Sequence, residues 1–120
     1  MSEYVSENFR KSEFECHCCG VYKMDKSLIE SLQALREYVM FPLIITSGYR
    51  CKVHNFRVGG VDNSQHTLGL AVDISTKFIN GYKLFDLIDA AIGLGFKGIG
   101  VSPKFLHVDT RASEGALWVY

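Results

Sequence analysis

The amino-acid sequence predicts an α+β fold. Three observations carry that reading: two stretches with apolar residues at helical spacing, several short runs that alternate as strands do, and a strand–turn–strand pattern near the C-terminal end. A chain of 120 residues has room for one hydrophobic core, so residues 1–120 read as a single domain.

Residues 1–24 show no periodicity, only scattered apolar anchors at Tyr4, Phe9, Phe14, Val21 and Tyr22. The first helix is expected from about Asp25, with Ser27 and Glu30 as a capping box and Leu28, Leu32, Leu35 and Val39 as its buried stripe. Phe41-Pro42 stops it, and Leu43-Ile44-Ile45-Thr46 reads as a buried strand. The next segment, SGYRCKVHNFRVGGVDNSQ, is polar, Gly-rich and aperiodic. A loop of that length in a compact domain is usually functional or disordered; its position between a strand and a candidate ligand favours function. In the strand that follows, Leu70, Val72 and Ile74 share one face, Ala71 and Asp73 the other. A second helix starts after Asn80 as N-cap, carries Tyr82, Phe85, Ile88, Ala91 and Ile92 as its stripe, and ends at Gly93 and Gly95. Residues 96–101 read as a strand, Ser102-Pro103 as a turn, and residues 105–110 as the hairpin partner, with Phe105, His107 and Asp109 on one face. LWVY is expected to form a final edge strand.

Composition narrows the function. Thirteen basic residues against thirteen acidic give a net charge of zero, so neither the basic stripe that binds nucleic acid nor a polybasic membrane patch is present. No apolar run approaches the roughly 20 residues of a membrane span. The polar start, MSEYVSENFRKSEF, lacks the apolar stretch of a secretory signal. The expectation is a monomer synthesised in the cytoplasm without a signal peptide, which needs another agent to release it if it acts outside.

His66, Asp73 and His107 form the candidate metal set. Two imidazoles with one carboxylate bind Zn²⁺ and leave a position free, whereas structural zinc is usually closed by four protein ligands. Arg50, in the long loop, reads on its own as a surface arginine with a permanently charged, planar guanidinium. Ser64 either hydrogen-bonds a substrate or forms a turn, and Gly69 permits a close backbone approach or a bend. Cys16, Cys18, Cys19 and Cys51 leave three possibilities open: reduced thiols, a disulfide to Cys51, or a second, structural metal. His17 and His54 read as loop hydrogen-bonders. Tyr49, Phe56 and Trp118 either line a cleft or pack in the core.

SGYR, GGVDNSQHTLGLAVDI and the ending FLHVDTR resemble the M15 peptidases, the zinc D-Ala-D-Ala carboxypeptidase family, and above all its short, phage-type members. The resemblance implies a fold shared with the hedgehog signalling domain, in which a small antiparallel sheet with flanking helices carries the metal. It implies His66, Asp73 and His107 as zinc ligands, and Arg50 as the residue that holds or polarises a substrate carbonyl or carboxylate. It further implies hydrolysis of peptide bonds in peptidoglycan stem peptides, as a carboxypeptidase or endopeptidase, in phage lysis or wall remodelling after release by a holin or on a particle. One departure stands out. Many members place an acidic base three residues before the last zinc histidine, and here that residue is Lys104. Asp109 is then either the catalytic base or the group that orients a ligand histidine; Asp62 and Glu114 are more distant candidates. The departure also supports an alternative, a non-catalytic zinc-binding recognition module of the same fold. A third reading is a thiol or structural-zinc protein built on CHCC.

Overall fold

The computed structural model describes residues 3–120 and has the expected α+β architecture. Its main sheet has five strands: β3 (Ile45–Ser47), β4 (Ala71–Ser75), β5 (Gly98–Val101), β6 (Phe105–Asp109) and β7 (Ala116–Val119), in the order β3-β4-β6-β5-β7. All neighbours are antiparallel except β7, which runs parallel to β5 at the edge, so the sheet is mixed. Residues 110–115 stay at one end of the sheet, where Gly98 is level with both Asp109 and Ala116, and cross past β5, so β7 runs opposite to β6 and parallel to β5.

Helix α1 (Lys26–Val39) and helix α3 (Gly81–Gly93) cover one face of the sheet. Leu28, Ile29, Leu32 and Leu35 of α1 pack with Leu87, Ala90 and Ala91 of α3 onto Val72, Ile74, Ile99, Leu106 and Val108. Because successive strand residues alternate faces, the partners of those apolar side chains, Asp73, His107 and Asp109, emerge on the opposite face, as the alternation predicts.

Several expectations need correction. The first 24 residues are irregular only in part: β1 (Tyr4–Ser6) and β2 (Phe9–Arg10) form a small hairpin, pinned to α1 by Gln33, whose Oε1 accepts from Ser6 Oγ at 2.7 Å and from Asn8 N at 3.0 Å. Residues 1–2 of that stretch lie outside the described residues. The cap of α1 is Asp25, which accepts from Leu28 N at 3.0 Å, and Ser27 lies inside the helix. The strand read over Leu43–Thr46 is shifted: Leu43 is buried, Ile44 is exposed, and β3 starts at Ile45. Asn80 caps α3 as expected, accepting from Lys83 N at 3.1 Å, yet Tyr82, Phe85 and Ile92 face solvent while Leu84, Leu87 and Ala90 face inward. That helix is apolar on more than one side, so packing, not pattern, chooses its buried face.

The long loop is also partly ordered into regular structure, with helix α2 (Lys52–Arg57) and a 3₁₀ turn at Gln65–Leu68. The turn ends at Gly69, whose φ of 72° lies in the left-handed region. A side chain there would also collide with the carbonyl oxygen of Lys23, just ahead of α1. Gly59 has a similar φ of 75° but open space around it. Gly59→Ala should therefore cost about 1–2 kcal/mol, the usual penalty of a left-handed alanine, and Gly69→Ala distinctly more. Urea unfolding of the two variants checks this, and equal losses would show that the contact with Lys23 is not tight.

Candidate metal centre

One rung of the sheet builds most of the site. Register places Ser47 opposite Asp73, Asp73 opposite His107, His107 opposite Gly100, and Gly100 opposite Trp118. Gly100 leaves room for the Trp118 ring, which a side chain at that position would strike. Trp118 thus reaches across to His107, with ring centroids 5.1 Å apart. His66 arrives from the 3₁₀ turn, where the Ser64 hydroxyl accepts from His66 N at 3.2 Å. Ser64 therefore forms the turn, and it also lines the cavity described below.

His66, Asp73 and His107 are all buried, and one donor atom from each lies within 4.8 Å of the others. His66 Nε2 is 3.1 Å and His107 Nδ1 is 3.2 Å from the same oxygen, Asp73 Oδ1. The far side of each ring is anchored. His66 Nδ1 is 2.8 Å from the Gly48 carbonyl, and His107 Nε2 is 2.7 Å from Asp109 Oδ2. A carbonyl and an ionised carboxylate can only accept, so those anchored nitrogens carry protons. In a neutral imidazole the other nitrogen then presents a lone pair, and both lone pairs converge on a carboxylate oxygen. The junction is favourable only with positive charge inside it, supplied by a proton on His107 or by one divalent cation. The donor set and its anchoring fit a metal such as zinc, with each ring's tautomer fixed from behind.

The electrostatics agree. Burial pushes the Asp73 carboxyl up, but hydrogen bonds from His107 and His66 outweigh it and hold Asp73 well below the usual carboxylate range. Burial pushes His107 down, and Asp109 and Asp73 more than reverse that, raising it above 6.5. Asp109 is fully buried. Against that burial, Arg111 and His107 keep it ionised far below the ordinary range. Arg111 grips it through Nε to Oδ1 at 2.9 Å, Nη2 to Oδ2 at 2.7 Å and its own backbone N–H to Oδ1 at 3.1 Å. The carboxylate fits there because its neighbour on β5 is Gly98, where any side chain would overlap it.

Arg50 is not a surface arginine. Its Nη2 donates to Asp73 Oδ2 at 3.1 Å, its Nε to Ser47 Oγ at 3.1 Å and its Nη1 to the buried Asn55 Oδ1 at 3.4 Å. Arg50, Ser64, His66, Asp73 and His107 line one cavity of about 560 Å³ with Phe105, Arg111, Trp118 and Tyr120, a size that suits a small ligand or a short peptide. Among the described residues Asp73 is the only carboxylate lining it; Asp62, Lys104, Asp109 and Glu114 do not.

A family model described as Peptidase M15 matches residues 7–109. The chain belongs to the M15 peptidase family. No curated protein matches it. Peptidases of this family are metal-dependent, and the cluster at His66, Asp73 and His107 is a group of residues that could hold the ion. The pattern expected from the sequence is thus brought together in one cavity. Sequence reasoning gave no role to Ser47, Asn55, Arg111 or Tyr120. For Arg111 a signal was present: an arginine two residues beyond a strand-end aspartate can fold back on it.

Two outcomes follow for this M15 centre. In metal-free protein, protonated His107 bonds two carboxylates, so the folded state holds that proton more tightly than the unfolded chain. The resulting stability is fully present below pH 6.5 and is lost as pH rises through the raised value. A metal ion must displace the same proton, so zinc affinity should rise with pH over that range. Denaturant unfolding of chelator-treated protein and zinc calorimetry in buffers of different ionisation enthalpy check both signs. Second, Asp109→Asn should weaken zinc binding about 10–100-fold, read by competition with a chromophoric chelator.

Proposed function

We propose that the chain is a zinc metallopeptidase that hydrolyses peptide bonds in peptidoglycan stem peptides, as a carboxypeptidase or endopeptidase, in phage lysis or cell-wall remodelling. It works as a monomer and meets the wall after release by a holin or on a phage particle. The observation that supports this most is the convergence of two anchored imidazoles and one carboxylate beside a fixed arginine in a single cavity.

His66, Asp73 and His107 would hold the ion. A zinc ion there would supply Lewis-acid chemistry and a more acidic water. Arg50, held by Ser47 and Asn55, presents its guanidinium to the substrate carbonyl or to a terminal carboxylate, and its place beside Asp73 suits stabilisation of developing negative charge. Ser64 offers its hydroxyl proton to the peptide, since its oxygen is already engaged by His66 N–H. Asp109 acts through His107. With both oxygens engaged and no exposure, it orients the imidazole and fixes its tautomer, and is a positioning residue in place of the base. Trp118, Tyr120 and Phe105 form the apolar wall against which a peptide side chain packs.

A second reading, a non-catalytic zinc-binding recognition module, is favoured by one observation: among the described residues no carboxylate apart from Asp73 lines the cavity to serve as base. Digestion of defined muropeptides, with mass spectrometry of the products, separates the two. The enzyme reading expects cleavage that chelator abolishes and zinc restores. Zinc-loaded protein that binds muropeptides and cuts none of them is the result expected of the module. In the enzyme, Arg50→Ala should lower kcat/KM about 10²–10³-fold, the scale of losing one preorganised oxyanion donor. Arg50→Lys should recover little, because the ammonium cannot hold Ser47, Asn55 and Asp73 at once.

A further inference from the structure

The four cysteines form a cluster separate from the cavity. Cys16, Cys19 and Cys51 each place a sulfur within 4.8 Å of the other two, and none is in a disulfide. Tetrahedral zinc with Zn–S bonds of about 2.3 Å needs sulfurs about 3.8 Å apart, so small side-chain rotations close the set. The turn that carries two of them is built for chelation. Cys16 N donates to Val21 O at 2.9 Å and Gly20 N to Cys16 O at 2.8 Å, and Gly20, with φ of 74°, reverses the chain directly after Cys19. This C-x-x-C-G turn aims both sulfurs to one side.

Backbone donors gather on the Cys16 sulfur and favour its thiolate, whereas the neighbouring sulfurs help to push the Cys18 and Cys19 thiols up. Cys51 N points at Cys16 Sγ at 3.4 Å, and the backbone N–H groups of Cys18 and Cys19 also reach that sulfur. His54 N points at Cys51 Sγ at 3.4 Å. Backbone N–H groups directed at sulfur favour its anionic form, which is the form that binds metal. The Cys18 thiol meets that of Cys51 but lies outside the three-sulfur group, turned to Arg57 with its sulfur 3.8 Å from Nη1, so it must swing inward to serve as a fourth ligand. His17 and His54 instead pack on each other, with centroids 5.6 Å apart.

We propose that Cys16, Cys19 and Cys51, with Cys18 as the fourth ligand, hold a structural zinc ion distinct from the one at His66. Thiolate-rich sets select zinc among the common divalent ions. The position gives the ion a purpose. It ties the N-terminal segment to Cys51, and the next residue back is Arg50. The same two segments already meet where Tyr49 N donates to Phe14 O at 2.9 Å and where Gly48 crosses the Phe14 backbone too closely to admit a side chain. The cysteine zinc locks that crossing and so holds Arg50 against Asp73 and Ser47.

Metal content per chain tests this, on protein purified with reductant and zinc. Wild type should carry two zinc ions. His66→Ala should lose one and keep the other. Cys16→Ser and Cys51→Ser should lose one as well, and a variant combining His66→Ala with Cys51→Ser should hold none. Cobalt-loaded His66→Ala should show sulfur-to-cobalt charge transfer in the near ultraviolet. Should the cysteine variants fail to fold, thiol-specific mercurial titration of the wild type should still release one zinc per chain. His66→Ala protein that folds without metal and without the charge-transfer band overturns the proposal, as does a Cys16–Cys51 disulfide in the purified wild type. Loss of the ion at His66 with the cysteine ion retained would count only against the catalytic centre.

Discussion

The antiparallel register of β4 against β6 is the constraint on which the rest depends. It sets Asp73 directly across from His107, and the same rung continues through Ser47 on one side and through Gly100 and Trp118 on the other. A slip of one residue would exchange faces, sending Asp73 and His107 into the packed side and Val72 and Val108 into the cavity. The core enforces the register, because Val72, Ile74, Leu106 and Val108 are completely buried beneath α1 and α3. Hydrophobic burial on one face thereby fixes polar geometry on the other.

Around that rung, each functional side chain is held from behind by a further group. Gly48 fixes one ring of the pair from behind and Asp109 the other; Arg111 fixes Asp109, and Ser47 with Asn55 fix Arg50. Converging lone pairs on Asp73 Oδ1 make the arrangement costly unless a proton or a cation sits between them, so a metal can take the place of the proton that His107 otherwise holds. Membership of the M15 family gives that exchange its meaning, since peptidases of this family use a metal ion.

Much of this was legible in the sequence. Strand alternation alone separated Asp73 and His107 from the apolar face, and Asn80 and the edge strand LWVY were read correctly. Spacing could not bring His66 to the same point, since that depends on a 3₁₀ turn inside an aperiodic loop. The buried face of α3 was read only in part: Ile88 and Ala91 pack inward as expected, but Tyr82, Phe85 and Ile92 are as apolar as the residues that pack and face solvent. The cap of α1 was misplaced because Asp25 and Ser27 both suit an N-cap, and only the chain's entry angle decides between them. The parallel pairing of β7, which brings Trp118 over His107, leaves no local trace in the sequence at all.

Anomalous diffraction at the zinc absorption edge from crystals of the zinc-loaded protein tests the central claim most directly. The account predicts a peak about 2.0–2.2 Å from His66 Nε2, Asp73 Oδ1 and His107 Nδ1, with the His107–Asp109 contact intact behind it. Crystals of fully zinc-loaded protein with no peak at that junction would contradict it.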